Sequence, residues 1–489
     1  MYIFYFYMCG ISAIVNYKPN KKIINEILVN INILSNRGRD SYGLLLSNTN
    51  SNTNNTYLNN DYILKQITIP TYKDIIDNNI DIDCNIAIGH TRYSTNYLKN
   101  TKGNLKYAQP ICGTHPLLGK FYLVHNGNIN FNNYYKKKFP NFIDSQILVK
   151  IIEKGEKEET WISIIQWIYQ TIPGTYNIII KCGSNIYAFK DRYNVRPLCI
   201  GKNSSGICIS SESSALSAYE YVREISSKEI IVINTNMCGF NSIKQKNTDV
   251  DNLNICLFEH IYFLRPKSNI DSMTTFQIRY LFGENMAINE ESKYLSKERK
   301  KEIVVVGSPN SGIASAQGFA NKLQVEYYQL LEKNKNSARS FILKNNEERR
   351  QECSKKFVLN EELLNDDKKR NMMKNKIIYL LDDSIVRGNT MDFMINLLRL
   401  LEPKEIHIRI PSPKIINICK FGIDIPTKEE LLMNRINEDE FAKLYNIDSL
   451  KFIATDTITQ ILAQSINVKT NDICTGCFGG SFKKELLDW

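Results

Sequence analysis

The stretch KIIYLLDDSIVRGNT, residues 376–390, decides the fold of the second half of the chain. An apolar strand beginning at Ile377 delivers two adjacent acids, Asp382 and Asp383, to its carboxyl end. A Ser/Gly/Thr loop follows, and a helix is expected to begin near Met391. Backbone N–H groups of such a loop bind phosphate, while the acids face sugar hydroxyls or a metal ion. The alternative is an ordinary strand end with acidic helix capping.

Two other apolar runs have the same character, EIVVVGS at 302–308 and EIHIRIPS at 405–412. Runs that are apolar on both faces are typical of a buried parallel sheet, so this half is expected to be a βαβ domain. The stretch VVGSPNSGIASAQGFA at 305–320 repeats the design of strand, Gly/Ser loop and helix. By contrast, short strands joined by turns dominate residues 9–235. We therefore place a domain boundary near 235–255.

Composition excludes several classes of protein. The chain has 489 residues, a net charge of +11 and 43% apolar side chains, which suits two domains and excludes a histone-like polycation. The charge fits an anionic small substrate, a weak nucleic-acid surface, or lysine enrichment without function. The longest apolar run, 161–172, is too short to span a bilayer. Twelve cysteines are too few for a disulfide scaffold and indicate a reducing, cytoplasmic location.

Cys9 directly follows Met8, so it is a candidate for the first residue of the processed chain. If translation starts at Met8, or if residues 1–8 are a propeptide that is removed, the Cys9 thiol gains a free α-amine beside it. An α-amine titrates near pH ~8 and can act as a general base for a nucleophile. A buried structural cysteine is the alternative.

Three motifs follow this cysteine in order: NRGRDSYG at 36–43, GHTRYST at 89–95 and HNGNI at 125–129. Together with Cys9-Gly10-Ile11 they resemble the class II glutamine amidotransferases, N-terminal-nucleophile hydrolases that release ammonia from glutamine.

That resemblance implies roles for five residues. Cys9 is the expected nucleophile, and the Asn126 side chain and Gly127 backbone are the expected donors to the tetrahedral oxyanion. Arg92 is expected to bind the α-carboxylate of glutamine, and Asp144 its α-ammonium group.

The 376–390 stretch resembles the phosphoribosyl pyrophosphate (PRPP) motif of type I phosphoribosyltransferases. The charged region 337–357 then corresponds to a mobile flap that closes over PRPP and excludes water. Asp382 and Asp383 are also the expected contacts of Mg²⁺. The residues expected to bind PRPP are Asp382, Asp383, Ser384, Arg387, Gly388, Asn389, Thr390, Ser311, Arg339 and Lys356.

A class II glutaminase fused to a PRPP-binding domain is similar to the amidophosphoribosyltransferase family. The resemblance implies an α+β N-terminal-nucleophile hydrolase domain of stacked antiparallel sheets between helices, over 9–240. An α/β phosphoribosyltransferase domain with a parallel sheet is expected over 255–489. The implied reaction converts glutamine and PRPP into 5-phosphoribosylamine, glutamate and pyrophosphate, the first committed step of purine synthesis. A homotetramer inhibited by purine nucleotides, with no nucleic-acid or membrane partner, is also implied.

Four cysteines match the thiolates that hold a [4Fe–4S] cluster in one branch of this family: Cys256, Cys419, Cys474 and Cys477. Four thiolates fit zinc equally well on chemistry alone, and only the resemblance favours the cluster.

One departure from the family pattern concerns the pyrophosphate loop, where Asn310 replaces an acid. Together with the eight residues before Cys9, it is the basis for one rival, a catalytically silent paralogue that binds PRPP or nucleotides as a regulator. The other rival is a different class II amidotransferase, of the hexosamine synthase or asparagine synthetase type. The stretch LDDSIVRGNT argues against that second rival.

Overall fold

The structure of the chain is a computed structural model. It describes residues 8–49, 60–78, 80, 83–93, 104–155, 159–244, 253–288, 290, 296–334, 357–360, 366–423, 425 and 427–487. The first seven residues, most of the Asn-rich stretch and nearly all of the expected flap lie outside these ranges.

Two antiparallel sheets make up the first domain in the described part of the chain. One has seven strands, in the spatial order Glu220–Glu224, Cys199–Lys202, Gly206–Ser210, Gly10–Asn20, Cys84–Arg92, Ser41–Asn48 and Asn60–Gln66. The other has six, in the order Asn241–Lys244, Glu229–Asn234, Asn185–Lys190, Gly174–Cys182, Gly119–Ile129 and Ile111–His115. The strand Asn241–Lys244 carries this domain to residue 244, slightly beyond the expected end at 240.

The two sheets pack face to face, because alternate side chains of both point into one apolar core. Helices cover the outer faces: Lys22–Leu34 on the first sheet, and Asp144–Ile152 and Trp161–Thr171 on the second. The helix Trp161–Thr171 begins where it does because the Thr160 hydroxyl accepts a hydrogen bond from the Ser163 N–H at 3.1 Å. Shorter helices are Tyr72–Asp77 and Asn133–Lys138. The expected stacked antiparallel sheets between helices are confirmed.

The second domain is built on a parallel sheet. Its described strands, in spatial order, are Glu326–Tyr327, Ile303–Gly307, Ile377–Leu381, Glu405–Ile410 and Ser449–Phe452. Its helices are Thr275–Ile288, Lys297–Glu302, Ile313–Leu323, Asp367–Met373, Asn389–Arg399, Glu438–Tyr445 and Thr455–Ser465. Apolar clusters lie on both faces of the sheet, as the doubly apolar strands predict. The parallel-sheet prediction is therefore confirmed.

Another apolar core joins the two domains. Met8 and Val195 of the first domain pack there with Cys256, Phe258 and Phe421 of the second. Backbone hydrogen bonds cross the same junction, since the Asn254 N–H donates to Tyr193 O at 2.7 Å. The domains thus share buried structure beside Cys9. No helix in the described ranges combines the length and the apolar character needed to cross a membrane.

Candidate functional site

A cavity of about 170 Å³ opens in the first domain against the second. Its lining contains all five residues expected to handle glutamine: Cys9, Arg92, Asn126, Gly127 and Asp144. They come from the residue just before the first strand, one strand of the first sheet, one strand of the second sheet and the start of a helix. The fold therefore brings together residues that are up to 135 positions apart in sequence.

Cys9 lies half-buried just before the first strand. Its sulfur is 4.0 Å from the Tyr93 carbonyl oxygen, and its own carbonyl oxygen accepts a hydrogen bond from Arg37 Nε at 3.3 Å. Burial raises the pKa of the Cys9 thiol, and the Tyr93 contact and the Arg92 charge act in the opposite direction. Met8, which precedes it, is buried and also lines the cavity. A thiol in this place needs a base before it can attack an amide.

Asn126 and Gly127 lie side by side on the strand Gly119–Ile129. The side-chain nitrogen of Asn126 is buried and has no hydrogen-bond partner among the described residues. Gly127 is required by space, because a Cβ there would lie 1.9 Å from the Thr175 carbonyl oxygen. Buried donors in proteins are almost always paired, so an unpaired amide at the wall of a cavity suits an acceptor supplied by a ligand.

Arg92 and Asp144 contribute a guanidinium and a carboxylate to the cavity lining, which also includes the cations Lys136 and Arg196. Arg92 ends its strand, and burial lowers its pKa while Cys9, Asp40 and Asp144 oppose that shift. Asp144 opens its helix and accepts hydrogen bonds from the Ile129 N–H at 3.0 Å and the Ser145 N–H at 2.8 Å. These bonds fix one carboxylate at the cavity wall, opposite in charge to the guanidinium. A zwitterionic amino acid suits such a pair.

Two further lining residues, Arg196 and Gly422, carried no role in the sequence analysis. Arg196 is 2% exposed, and its NH2 group donates to the Phe421 carbonyl oxygen. Gly422 comes from the second domain and has φ +93°; a Cβ there would lie 2.8 Å from Asn128 Cβ. Sequence reasoning missed them because nothing in a local pattern shows that a distant loop closes this pocket. The only available signal for Arg196 was a charge between two apolar strands.

The acid pair Asp382–Asp383 lies at the carboxyl end of the strand Ile377–Leu381, as predicted. Asp382 Oδ1 accepts hydrogen bonds from Ser308 Oγ at 2.5 Å and Ser311 Oγ at 3.2 Å. The two loops expected to bind PRPP are therefore in contact. Burial, and then the neighbouring charge of Asp382, raise the pKa of the Asp383 carboxyl. Two buried acids side by side favour a bound cation or hydroxyl donors.

The loop after these acids leads into the helix Asn389–Arg399. Ser384 Oγ donates to Asp383 Oδ1 at 2.5 Å, and Gly388 has φ +81°, which glycine adopts without steric cost. Asn389 and Thr390 form the first turn, so the helix begins two residues before the predicted start at Met391.

Other predicted PRPP contacts have different outcomes. Arg387 pairs with Glu430, its Nε donating to Oε2 at 2.7 Å. Arg339 and Lys356 lie outside the described residues. Asn310, at φ +73°, adopts the left-handed conformation that Asn and Asp tolerate best after glycine. The left-handed turn therefore explains an Asn at this position, independently of the negative charge that an acid would have supplied.

The four cysteines singled out in the sequence converge in the core between the domains. Cys256 and Cys474 are paired in register on adjacent short strands, and Cys419 accepts a hydrogen bond from the Phe421 N–H at 3.3 Å. Burial first, and then the other three cysteines, raise the pKa of Cys477. Yet no three His, Cys, Asp or Glu side chains of the described residues are grouped as ligands of one metal ion.

Comparisons with known proteins agree with this arrangement. No protein-family model matches the chain. The mouse amidophosphoribosyltransferase is 30% identical over 460 residues, covering 83% of this chain and 84% of the mouse enzyme. The chain belongs to the amidophosphoribosyltransferase family. The enzyme of that name from Methanocaldococcus jannaschii is 28% identical over 503 residues, covering 98% of both chains.

Solved structures of this family extend the likeness to the fold. The glutamine PRPP amidotransferase of B. subtilis, complexed with ADP and GMP, superposes with a TM-score of 0.78 at 25% identity, covering 97% of both chains. A structure described as the allosteric regulatory enzyme of purine biosynthesis superposes at 0.79 and 26% identity, covering 97% of this chain and 96% of that one. Family membership confirms the expectation of a glutamine amidotransferase and pentosyltransferase of the first step in purine biosynthesis.

Proposed function

We propose that this chain hydrolyses glutamine at Cys9 and delivers the ammonia to PRPP beside Asp382 and Asp383. The products are 5-phosphoribosylamine, glutamate and pyrophosphate. The observation that carries the proposal is the single cavity lined by Cys9, Asn126, Gly127, Arg92 and Asp144.

The groups in the cavity support a definite sequence of steps. Arg92 and Asp144 bind the α-carboxylate and α-ammonium of glutamine, which places the side-chain amide at Cys9. The thiolate adds to the amide carbon, and the Asn126 side chain and Gly127 N–H donate to the oxyanion. The C–N bond then breaks as the leaving NH2 group takes up a proton and departs as ammonia. Water hydrolyses the thioester, which releases glutamate and restores the thiol.

The base in this scheme is the α-amine of Cys9, so we propose that residues 1–8 are absent from the active enzyme. That amine takes the thiol proton and returns it to the departing NH2 group, which leaves as ammonia. Two observations support removal of the segment: Met8 lines the glutamine cavity, and its peptide bond occupies the nitrogen that would act as the base.

At the second site, the acids Asp382 and Asp383 would hold Mg²⁺ and the ribose hydroxyls of PRPP. The fit rests on charge, since the two buried carboxylates repel each other and a divalent cation relieves that repulsion. Mg²⁺ commonly binds one or two carboxylates together with substrate phosphates. The contacts of Ser308 and Ser311 with Asp382 keep the neighbouring loop in place beside it.

We further propose a [4Fe–4S] cluster on Cys256, Cys419, Cys474 and Cys477. All four thiols lie in one core between the domains, and their charges influence one another. In a tetrahedral zinc site all four sulfurs lie about 2.3 Å from a single ion. In a cubane each thiolate binds a different iron, so the sulfurs stand farther apart. Four thiols in one buried core suit either group, and the resemblance to the cluster-containing branch of the family favours iron–sulfur.

Regulation and assembly are also proposals. Purine nucleotides are the proposed feedback inhibitors, and the solved relative complexed with ADP and GMP supports this. The homotetramer and the cytoplasmic location rest on the family resemblance and, for the location, on cysteine usage.

The experiment that tests the function compares Cys9→Ser with Cys112→Ser, a variant of an exposed cysteine away from the cavity. Cys9→Ser should abolish product formation from glutamine and leave synthesis from ammonia largely intact, whereas Cys112→Ser should change neither. Intact mass of the purified protein should show a chain beginning at Cys9. Equal loss of both activities in folded Cys9→Ser would contradict the two-site proposal.

A further inference from the structure

A buried cluster of four charged side chains connects Cys9 to the second domain. Arg37 NH1 lies 2.8 Å from Glu212 Oε1, and Arg37 NH2 lies 2.7 Å from Glu259 Oε1. The same Glu259 oxygen is 3.6 Å from Arg196 NH1. Each of the four side chains is at most 1% exposed. Glu259 alone among them belongs to the second domain, in the short π-helical turn Glu259–Phe263.

One arm of this cluster holds the main chain at Cys9. Arg37 Nε donates to the Cys9 carbonyl oxygen at 3.3 Å. The Arg37 guanidinium therefore has three roles at once: it contacts the nucleophile's backbone, a carboxylate of its own domain and a carboxylate of the other domain. Any shift of Glu259 would be transmitted to Cys9 through a single rigid, planar group.

The other arm reaches the loop behind Gly127. Arg196 NH2 donates to the Phe421 carbonyl oxygen, which also accepts a hydrogen bond from Thr175 Oγ1 at 3.0 Å. Gly422, the next residue, packs so that a Cβ there would lie 3.5 Å from the Gly127 carbonyl oxygen. Glu259 thus stands between the group that holds the nucleophile and the group that holds the back of the oxyanion site.

Stability alone does not account for Glu259. Glu212 also pairs with Arg37 within the first domain at 2.8 Å, so without Glu259 Arg37 keeps one carboxylate, whereas Arg196 loses its 3.6 Å contact. Burying a further carboxylate is costly, and replacing such ion clusters by apolar residues is often neutral for stability. Glu259 Oε2 and Arg196 Nε also lack hydrogen-bond partners among the described residues, so the cluster is not optimised as a structural core.

We propose that Glu259 is a positioning residue for glutamine hydrolysis, acting through Arg37 on Cys9 and through Arg196 on the loop behind Gly127. The inference rests on the proposed role of Cys9 as nucleophile. It makes the geometry of the glutamine site depend on a side chain of the phosphoribosyltransferase domain.

The test is Glu259→Gln in the full-length enzyme, with Glu290→Gln as the matched control. Glu290 is another buried carboxylate of the second domain, bound by Arg409 at 2.7 Å and Lys451 at 2.8 Å and remote from the cavity lining. Glu259→Gln should lower glutamine-dependent kcat by roughly tenfold to a hundredfold, the scale of a misplaced reacting group. The KM for glutamine should change little, because Arg92 and Asp144 are untouched. Ammonia-dependent synthesis should remain at the wild-type rate.

For the control, Glu290→Gln should change the two activities in parallel or not at all. A Glu259→Gln enzyme with a wild-type ratio of glutamine-dependent to ammonia-dependent rates would overturn the proposal. A lower ratio accompanied by loss of bound iron would also overturn it, because the effect would then pass through Cys256, three residues away. If Glu259→Gln does not fold, Glu259→Asp keeps the charge, and a smaller loss confined to glutamine-dependent kcat is expected; parallel loss of both activities refutes the proposal.

The outcomes also separate this inference from the proposed function. If Cys9→Ser retains glutamine-dependent synthesis, the proposed nucleophile is wrong and the role of Glu259 is withdrawn with it. If Cys9→Ser abolishes that synthesis while Glu259→Gln leaves it intact, only the role of Glu259 is wrong.

Discussion

Replacing Asn126 with alanine should slow glutamine hydrolysis strongly while leaving the stability of the fold almost unchanged. An asparagine buried in a strand normally contributes about 1 kcal/mol per hydrogen bond that it makes. The Asn126 side-chain nitrogen makes none with the described residues, so its removal sacrifices no native bond. The space left behind opens into the cavity, where water can fill it.

Loss of activity should be large because the missing donor acts on the transition state. Removing one oxyanion donor typically lowers kcat by about 10² to 10³, or roughly 2.7 to 4 kcal/mol. Glutamate release measured with PRPP present reports this step. Ammonia-dependent synthesis should be unaffected, because the acids that serve PRPP lie in the other domain.

Asn177→Ala provides a control on the neighbouring strand. Asn177 is the register partner of Asn126, but it does not line the cavity, and its Nδ2 donates to the Pro197 carbonyl oxygen at 2.7 Å. This variant should lose about 1 kcal/mol of unfolding free energy and keep its kcat within a small factor. The reasoning is refuted if Asn126→Ala retains kcat within threefold of wild type, or if its two activities fall together.

Three other predictions concern the remaining groups. Asp383→Ala, and to a smaller extent Asp382→Ala, should weaken PRPP binding in the presence of Mg²⁺ by about ten- to a hundredfold, corresponding to ~1.5 to 3 kcal/mol for a charge-assisted bond; unaltered calorimetric affinity in both would contradict the assignment. Protein purified without oxygen should be brown, with about four irons and four sulfides per chain, whereas one zinc and no colour would support the other reading of the four cysteines. In the chain that retains Met8, burial raises the pKa of Cys9, so the fraction of thiolate is low at neutral pH. Alkylation of Cys9 should therefore accelerate at a higher pH than alkylation of an exposed cysteine, whose pKa is ~8.5. A midpoint at or below that of the urea-unfolded chain is the contrary result.

The sequence predicts the long elements well and the short ones poorly. The runs at 302–308 and 405–412 became the strands Ile303–Gly307 and Glu405–Ile410, because burial on both faces leaves a continuous apolar pattern. The edge strand Glu326–Tyr327 consists of a glutamate and a tyrosine, so it shows no such apolar pattern. This strand is defined by its pairing with the strand Ile303–Gly307, and a short stretch of sequence around residues 326–327 does not contain that partner.

The five residues expected at the glutamine site were assigned from motifs that resemble the class II amidotransferases, and the fold brings all five to one cavity. The residues that hold these site residues in place were not predicted, because Arg37 and Glu259 are separated by 222 positions. One signal was present in the sequence: Glu259 interrupts the apolar run CLFEHIYFL, and a charge within a buried segment must find a partner. The sequence shows that a partner is needed, but only the fold identifies Arg37.

Polar contacts at this junction are the means by which, on the proposal above, one active site would depend on the other domain. The Phe421 carbonyl oxygen accepts from Thr175 and Arg196, and Asn128 Nδ2 donates to the Lys420 carbonyl oxygen at 3.3 Å. Hydrogen bonds are directional and weaken steeply as their angles depart from the optimum, so these contacts depend on the placement of the second domain. Ammonia made without an acceptor is wasted, and on the proposed function a hydrolytic site whose wall includes Gly422 of the acceptor domain would reach its catalytic geometry only when that domain is correctly placed.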